Sequence, residues 1–380
     1  MTGLFAVCRA ELARIFTLKP AFATLIVATL IYSVFYPQPY VNEALRDVPI
    51  AVVDRDQTIG SRDFIRRLDA SADVAVAEVV PDLPTAQRAV FDRSIFGILV
   101  IPQYFERDLL HGRPSPVALY ADASYFLLYQ RVSGAVGAVA RTVGAGVETT
   151  RLIALGIDPP VAEAAIDPMP LTAVPLFNPQ GGYATYILPA AFVLLVQQIL
   201  LMGVGLLNTH PRETGTGPRA GAAATILGKL LAYLVLETAV FPFYLIVLPY
   251  LYGIPRLGSP GTVIAMGVPF VLATGALGLV IAGIFKKPLA VQLAFAAVGI
   301  PFLFLAGFSW PVEAIPPAIR LVSVLLPSTA AINGIVRVSQ MGAPLAGARD
   351  PFLTLWALAA VYAAIALLFE LRRRHTKRAR

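Results

Sequence analysis

Residues 186–207 read YILPAAFVLLVQQILLMGVGLL, a run of 22 residues without a single charged side chain. A helix needs about 20 apolar residues to cross the roughly 30 Å hydrocarbon core of a bilayer. The run is therefore predicted to be a membrane-spanning helix. Similar apolar runs predict five further spans, at residues 21–36, 230–252, 262–285, 289–308 and 352–371.

The composition of the whole chain agrees with a membrane protein. Of its 380 residues, 57% are hydrophobic and only 14% are charged. A soluble domain of this size cannot cover its surface with so few charges. Between the first two predicted spans, however, residues 37–185 have an ordinary soluble composition, which predicts a separate domain inserted there.

The charges are distributed unevenly. Residues 37–183 contain 17 acidic residues against 12 arginines and no lysine, although the whole chain has a net charge of +7. Basic clusters occur at the N-terminus, after the second and fourth spans, and in the tail 372–380. Short basic segments are retained in the cytoplasm, so this pattern predicts an inner-membrane protein with both ends cytoplasmic and no role in nucleic-acid binding.

The predicted fold class is an α-helical polytopic membrane protein with six transmembrane helices and an inserted α/β extracytoplasmic domain. Its predicted segments are a cytoplasmic amphipathic helix at 1–20, the first transmembrane helix at 21–36, a periplasmic α/β domain at 37–185, transmembrane helices 2–6 at 186–371 and a basic cytoplasmic tail at 372–380. Prolines and glycines interrupt an apolar stretch near 309–344, which predicts an outer re-entrant segment.

Strand and helix signals alternate within the inserted domain. Strands are predicted at 48–54, 74–80, 96–101 and 117–122, with a further strand considered at 171–176. Helices are predicted at 61–70 with Ser61 as N-cap, and at 84–93, 102–110 and 126–155. Alternation of this kind is typical of helices that cover a sheet.

Motifs for enzymatic chemistry are missing. Gly228-Lys229 lacks the earlier glycine of a phosphate-binding loop and is followed by leucine. His111, His210 and His375 are isolated in the sequence and form no metal set, and the lone Cys8 excludes an internal disulfide. No cofactor or metal is expected to bind this chain, and no catalytic residue is assigned.

Three polar residues within predicted spans are candidates for a role in the pathway or between helices. Glu237 would be costly to bury as a charge, which favours a place in a transport pathway, although a position near the helix end or a pair with Lys229 is also open. Gln197 and Gln198 are candidates for hydrogen bonds between helices. The polar loop from His210 to Thr216 is either a simple connection or a docking surface for a partner.

Four stretches in this order resemble the type 2 ABC transporter permeases, in the branch with a large extracytoplasmic domain after the first span. They are Val48-Pro-Ile-Ala-Val-Val-Asp-Arg-Asp56, Phe96-Gly-Ile-Leu-Val-Ile-Pro-Gln-Tyr-Phe-Glu-Arg-Asp-Leu-Leu-His-Gly112, Arg212-Glu-Thr-Gly-Thr216, and Gly307-Phe-Ser-Trp-Pro-Val-Glu-Ala-Ile-Pro316 with Leu326-Pro327. After Thr216 the chain departs from the family pattern, since Gly217-Pro-Arg-Ala-Gly-Ala-Ala stands where an acidic residue and a leucine-rich run are usual.

The resemblance implies a permease subunit that pairs with a second permease subunit, as a homodimer or heterodimer. A separate cytoplasmic ATPase would use ATP and Mg and would contact Arg212, Glu213, Thr214, Gly215 and Thr216. Trp310, Pro311 and Glu313 would belong to the outer re-entrant segment. The branch is similar to the inner-membrane parts of drug-export assemblies. The resemblance therefore also implies a periplasmic adaptor and an outer-membrane channel as partners.

The expected function is export of a hydrophobic or amphiphilic compound from the cytoplasm or inner membrane. Two alternatives stay open at this point. One is a receptor or scaffold that presents an extracytoplasmic binding domain without transport. The other is a permease for polysaccharides or lipid-linked glycans, which is disfavoured because such permeases generally lack the inserted domain.

Overall fold

The computed structural model describes residues 2–42, 44–179, 181–211, 220–306 and 315–378. The chain forms two compact units, one made of Met1–Glu43 with Pro175–Arg380 and the other of Ala44–Val174. The first is called the helical unit and the second the sheet unit.

The helical unit begins with two helices. Helix α1, Thr2–Thr17, buries Val7, Glu11 and Ile15, which lie four residues apart and so share one face. Leu18 is extended, and Pro20 stands in the first turn of the next helix, where its missing N–H is not needed. Helix α2, Lys19–Tyr40, is long and apolar enough to cross a membrane and covers the predicted span 21–36.

The sheet unit has four strands in the order β2-β1-β3-β4. The strands are β1 Val48–Asp54, β2 Val74–Val79, β3 Gly97–Ile101 and β4 Ala118–Ala121. Strand β1 pairs in parallel with β2 and β3, whereas β4 is antiparallel to β3. The central strand β1 is buried on both faces, which explains its continuous apolar run.

Five helices accompany these strands in the sheet unit. They are α3 Ile59–Asp69, α4 Leu83–Phe91, α5 Phe105–Leu110, α6 Phe126–Ala154 and α7 Pro159–Ile166. Phe64 of α3 and Val132 of α6 pack with Val52 on one face of the sheet. Ala86 of α4 packs with Val53 on the other face. The sheet is thus covered on both sides, as the alternating pattern predicts.

Several predicted boundaries in the sheet unit were wrong. Helix α3 begins two residues early because Thr58, not Ser61, is its N-cap, and the two side chains form a reciprocal capping box. Helix α4 begins at Leu83 after the cap Asp82. Helix α5 begins at Phe105 instead of residue 102, and the stretch 171–176 contains no strand.

The chain then returns to the helical unit. Its remaining helices are α8 Tyr183–Thr209, α9 Ala222–Leu251, α10 Pro260–Phe285, α11 Pro288–Leu305, α12 Pro317–Ser323, α13 Pro327–Gln340 and α14 Leu345–Thr376. Helix α9 extends eight residues beyond its predicted start, so that Lys229 lies inside the helix instead of in the preceding loop. Glycines permit close helix packing: a methyl group at Gly203 of α8 would lie 2.3 Å from Leu25 Cδ2.

Among the described residues, five helices are long and apolar enough to cross a membrane, namely α2, α8, α9, α10 and α14. Helices α12 and α13 meet at an angle of 84° and together form a broken span or a re-entrant segment, which makes the count up to six. Helix α11 coincides with the predicted span 289–308, but its described apolar part, Pro288–Ala297, is too short to span alone. The protein is therefore helical and multi-pass, with a small sheet unit inserted after the first span.

Candidate functional site

The loop predicted to contact an ATPase, Arg212–Thr216, lies outside the described residues. Its two ends are described, however, because α8 ends just before it and α9 begins just after it. An arginine from elsewhere in the helical unit holds each end. The candidate site is therefore defined by how these ends are anchored.

Arg14 of α1 anchors the end of α8. Its guanidinium donates from Nη1 to the carbonyl oxygen of Leu207, and from Nη2 to those of His210 at 2.9 Å and Pro211 at 3.4 Å. The last carbonyls of a helix lack partners within the helix, and the helix dipole places negative charge there. A fixed cation at this point satisfies both needs and ties α1 to the start of the loop.

Arg374 of the last helix anchors the beginning of α9. It donates to the carbonyl oxygen of Ala220 at 2.7 Å and to Thr225 Oγ1 at 2.9 Å. Its Nε also donates to Glu370 Oε1 at 2.8 Å, which fixes the guanidinium on α14. The N-terminal helix α1 and the C-terminal part of α14 therefore lie at the same end of the bundle as the end of α8 and the start of α9.

A buried polar chain lies beside these anchors. Tyr233 Oη donates to Glu11 Oε1 at 2.8 Å and accepts from Asn208 Nδ2 at 2.9 Å, while Lys229 Nζ donates to Asn208 Oδ1. Glu11 is only 2% exposed and Lys229 only 6%. The chain joins α1, α8 and α9, so an acid and a base are accommodated in a mostly apolar bundle through hydrogen bonds.

This polar chain was not predicted from the sequence. The prediction placed Glu11 on the polar face of an amphipathic helix, whereas in the structure Glu11 is buried in the bundle. Its spacing to Val7 and Ile15, four residues on either side, was the available signal, because three residues at that spacing share one helix face.

Of the three polar residues predicted within spans, Gln197 has a clear structural role. Its Oε1 accepts from the backbone N–H of Ser328 at 2.7 Å, and its Nε2 donates to Ser328 Oγ at 3.0 Å. Ser328 lies in the first turn of α13, whose N–H groups have no partner within that helix. Gln197 of α8 therefore caps the N-terminus of α13, which gives this residue a structural role.

Gln198 and Glu237 differ from Gln197. Neither Gln198 Oε1 nor Glu237 Oε2 has a hydrogen-bond partner in the described part of the chain, although both atoms are buried. Glu237 is 3% exposed and lies in α9, and Lys229 of the same helix donates to Asn208. Glu237 is thus a deeply placed carboxyl group with one unsatisfied oxygen.

We predict opposite outcomes for the two neighbouring glutamines. Gln197→Leu leaves the Ser328 N–H and hydroxyl without a partner and is expected to destabilise the protein by about 1–2 kcal/mol. Gln198→Leu is the matched control. Because the buried Oε1 of Gln198 makes no hydrogen bond to the described residues, this substitution is expected to leave the free energy of unfolding nearly unchanged. Thermal unfolding of the purified variants in detergent measures both; equal losses would contradict the capping role of Gln197.

Trp310, Pro311 and Glu313, which were predicted to belong to an outer re-entrant segment, lie outside the described residues. The helices that follow them are described, and they are α12 and α13 with their 84° bend. Gln340 at the end of α13 donates to the carbonyl oxygen of Thr185 in α8. Both ends of α13 are therefore bonded to α8, one through Gln197 and the other through Gln340.

Two of the stretches that carried the family resemblance meet at one edge of the sheet unit, where β1 and β3 end. Asp54 Oδ1 accepts from the N–H groups of Asp56 and Gln57, both at 3.0 Å. Asp56 Oδ2 accepts from the backbone N–H of Glu106 at 3.0 Å, and Glu106 Oε1 accepts from that of Gly60 at 3.1 Å. These acidic residues hold the two loops together, so the stretches have a structural explanation.

The geometry of the helices and of the loop ends defines the class of protein. Within the described ranges, five or up to six apolar helices are long enough to cross a membrane, a sheet unit is inserted after the first, and the two ends of a polar loop are anchored. These features describe a multi-pass membrane protein. The family described as ABC-2 family transporter protein matches residues 21–368. The chain belongs to this family, which confirms the resemblance to type 2 ABC transporter permeases.

Curated relatives agree with the family. The chain is similar to the linearmycin resistance permease protein LnrN of Bacillus subtilis (strain 168), with 25% identity over 367 residues that cover 90% of this chain and 92% of that protein. It is also similar to the probable multidrug ABC transporter permease YbhS of Escherichia coli (strain K12), with 26% identity over 158 residues, 40% of this chain and 42% of that protein.

Proposed function

We propose that this chain is the permease subunit of an ATP-driven exporter and that a separate ATPase subunit docks on the loop Arg212–Thr216. The observation that carries the proposal is the anchoring of both loop ends, by Arg14 at α8 and by Arg374 at α9. A loop that transmits force must be attached rigidly to the helices that move. The two arginines provide such an attachment, and they link the loop to the first and last helices.

The proposed orientation places the loop, both termini and the basic tail in the cytoplasm, and the sheet unit in the periplasm. Basic residues cluster at the end of the bundle where both termini lie, which supports this orientation in an inner membrane. Labelling of intact cells tests this orientation. A thiol probe that cannot cross the inner membrane should modify single cysteines introduced at exposed positions between residues 44 and 174. Modification of these residues from the cytosolic side alone would overturn the proposal.

The proposed substrate is a hydrophobic or amphiphilic compound. Relatives are named as a linearmycin resistance permease and a probable multidrug permease, which supports a substrate that enters the membrane. Glu237 is the described candidate for a pathway residue, because its carboxyl group is buried among the spans with one unsatisfied oxygen. A second permease subunit would complete the pathway, as a homodimer or heterodimer.

The decisive experiment is affinity purification from the native host in a detergent that preserves complexes. The wild-type chain is expected to bring down an ATPase subunit, and the double variant Arg212→Ala/Glu213→Ala to lose it with unchanged amounts of chain in the membrane. Arg349→Ala/Asp350→Ala is the matched control, since this exposed charged pair lies at the other end of α14. If no ATPase accompanies the wild-type chain, the exporter proposal fails and a receptor or scaffold is favoured.

The same purification addresses the wider assembly. A periplasmic adaptor and an outer-membrane channel are predictions from the resemblance, and they would appear among the co-purified proteins after mild cross-linking. Their presence in the Arg212→Ala/Glu213→Ala sample would indicate that they bind independently of the ATPase.

A further inference from the structure

A cavity of about 630 Å³ opens between four helices at the end of the bundle that carries both termini. Asn208 at the end of α8, Lys229 near the start of α9, Lys286 after α10 and Arg373 of α14 contribute to its lining. All four positions lie near helix ends, so the cavity lies near the level where a membrane's hydrocarbon core gives way to its headgroups. We call it the basic cavity.

Positive charge dominates the lining of this cavity. Its cationic residues are Lys229, Lys286, Arg372 and Arg373. Among the described residues that line it, Glu370 is the only acid, and its carboxylate is bonded to Arg374 at 2.8 Å and lies 4.0 Å from Arg373. The cavity therefore attracts anions.

The cationic groups are at different depths. Lys229 is 6% exposed, whereas Lys286, Arg372 and Arg373 are exposed around the opening. The ammonium of Lys229 is already bonded to Asn208 in the buried polar chain, so the exposed cations around the opening are the groups that meet an incoming anion. Lys229 lies deeper in the lining and adds to the positive potential of the cavity.

The remaining wall of the basic cavity is apolar. It is formed by Ile226, Leu279, Ala366 and Phe369, which belong to three spans. A small inorganic anion makes no favourable contact with such a wall, whereas an amphiphile can place a hydrocarbon chain along it. The charged opening and the apolar wall together favour a molecule with an anionic head and a hydrocarbon tail.

We propose that the basic cavity binds the phosphate of an anionic phospholipid headgroup, with an acyl chain along the apolar wall. Basic pockets between membrane helices are suited to such headgroups. Glu370 of the lining holds Arg374, and Arg374 anchors the start of α9, so a bound lipid lies directly beside the anchored loop. This site does not depend on the ATPase or on the transported compound.

Native mass spectrometry of the purified full chain tests the proposal. Dioleoyl phosphatidylglycerol is titrated against dioleoyl phosphatidylcholine, which has the same acyl chains but no net charge. The wild-type chain is expected to retain phosphatidylglycerol selectively. The double variant Lys286→Gln/Arg373→Gln is expected to bind it about 25-fold more weakly, since each cation near the membrane surface contributes about fivefold.

The matched control is Lys19→Gln/Lys287→Gln. It removes the same charge from two exposed lysines that are absent from the cavity lining. A third variant, Thr376→Trp, keeps every cation but places a bulky side chain in the lining, and it is expected to weaken retention as well. Both variants of the cavity use exposed positions, so that folding is preserved.

The outcomes separate a lipid from a free anion. Loss of selective retention in the cavity variants, with the control unchanged and with no displacement by millimolar inorganic phosphate, supports the proposal. Equal retention in Lys286→Gln/Arg373→Gln, or an equal loss in the control, overturns it. Displacement of phosphatidylglycerol by inorganic phosphate also overturns it and assigns the cavity to a free phosphate instead.

Discussion

Replacing Gly228 by valine is expected to raise the labelling rate of Cys8 by a thiol reagent about tenfold, because α1 must leave its place on α9. A methyl group at Gly228 would lie 2.7 Å from the backbone oxygen of Leu4 and 2.8 Å from Val7 Cβ. A backbone atom cannot rotate away as a side chain can. Valine therefore displaces the whole helix.

Cys8 is well placed to report this movement. It is the only cysteine in the chain, it is buried, and burial raises the pKa of its thiol. The thiolate is the reactive form, so a raised pKa and a covered sulfur both slow labelling. When α1 is displaced, the pKa falls towards its usual value and the sulfur becomes accessible, and both effects accelerate the reaction.

Gly221→Val provides the matched control for this experiment. Gly221 immediately precedes α9, and apart from its chain neighbours no atom of the described residues lies within 4 Å of the position of an added Cβ. Maleimide mass tagging in isolated membranes gives the rate for each variant. Equal rates for Gly228→Val and Gly221→Val would show that the tight contact between α1 and α9 does not hold the N-terminal helix.

The double variant Arg14→Ala/Arg374→Ala is expected to reach the membrane in normal amounts while the co-purified ATPase falls about tenfold. Each arginine donates several hydrogen bonds to the ends of the loop, and one hydrogen bond from a charged group contributes about 1.5–3 kcal/mol. Without them the loop samples many conformations, and a partner must order it on binding. The entropy of that ordering lowers the affinity.

Arg9→Ala/Lys287→Ala is the comparison for this variant, because neither residue lines the basic cavity. Both side chains are exposed; Arg9 lies on α1 with Arg14, and Lys287 lies just after α10 at the same end of the bundle. The comparison removes the same charge from the same end of the bundle. An equal fall in ATPase recovery for both variants would mean that general basicity, and not the anchoring of the loop ends, governs docking.

The apolar spans were the most predictable part of this fold. A helix that crosses the lipid core must be long and apolar, so the composition of residues 186–207 is enough to predict α8. The four strands of the sheet unit were also predictable from short apolar runs between helical segments. Their order was not, because the antiparallel β4 pairs with β3 through contacts that no local pattern encodes.

Errors at helix starts have a local cause. Thr58 and Ser61 are both good capping residues, and each bonds the backbone N–H of the other. A sequence therefore offers two equivalent starts for α3, and the geometry of the preceding turn decides between them. The early start of α9 has a different cause, since Lys229 looks like a loop residue until Asn208 of another helix accepts its hydrogen bond.

The candidate site was predictable only as a loop. Family resemblance pointed to Arg212–Thr216, but nothing in that segment identifies Arg14 and Arg374 as the residues that hold its ends. These arginines are about 200 and 150 residues away from their acceptors, as the sequence separations of 196 and 154 show. Gln197 was recognised as polar, whereas its acceptor and donor, Ser328, lies 131 residues further on.

The packing of α1 on α9 has a consequence for how the protein is made. Helix α1 is synthesised before α9, and Gly228 and Tyr233, against which it rests, follow it by more than 200 residues. At a translation rate of about 5–20 residues per second, α1 is complete roughly 10 to 45 s before the surface of α9 on which it packs has been synthesised. During that interval Glu11 and Cys8 lack the contacts that bury them, so α1 docks on α9 only after the sheet unit and α8 have been synthesised.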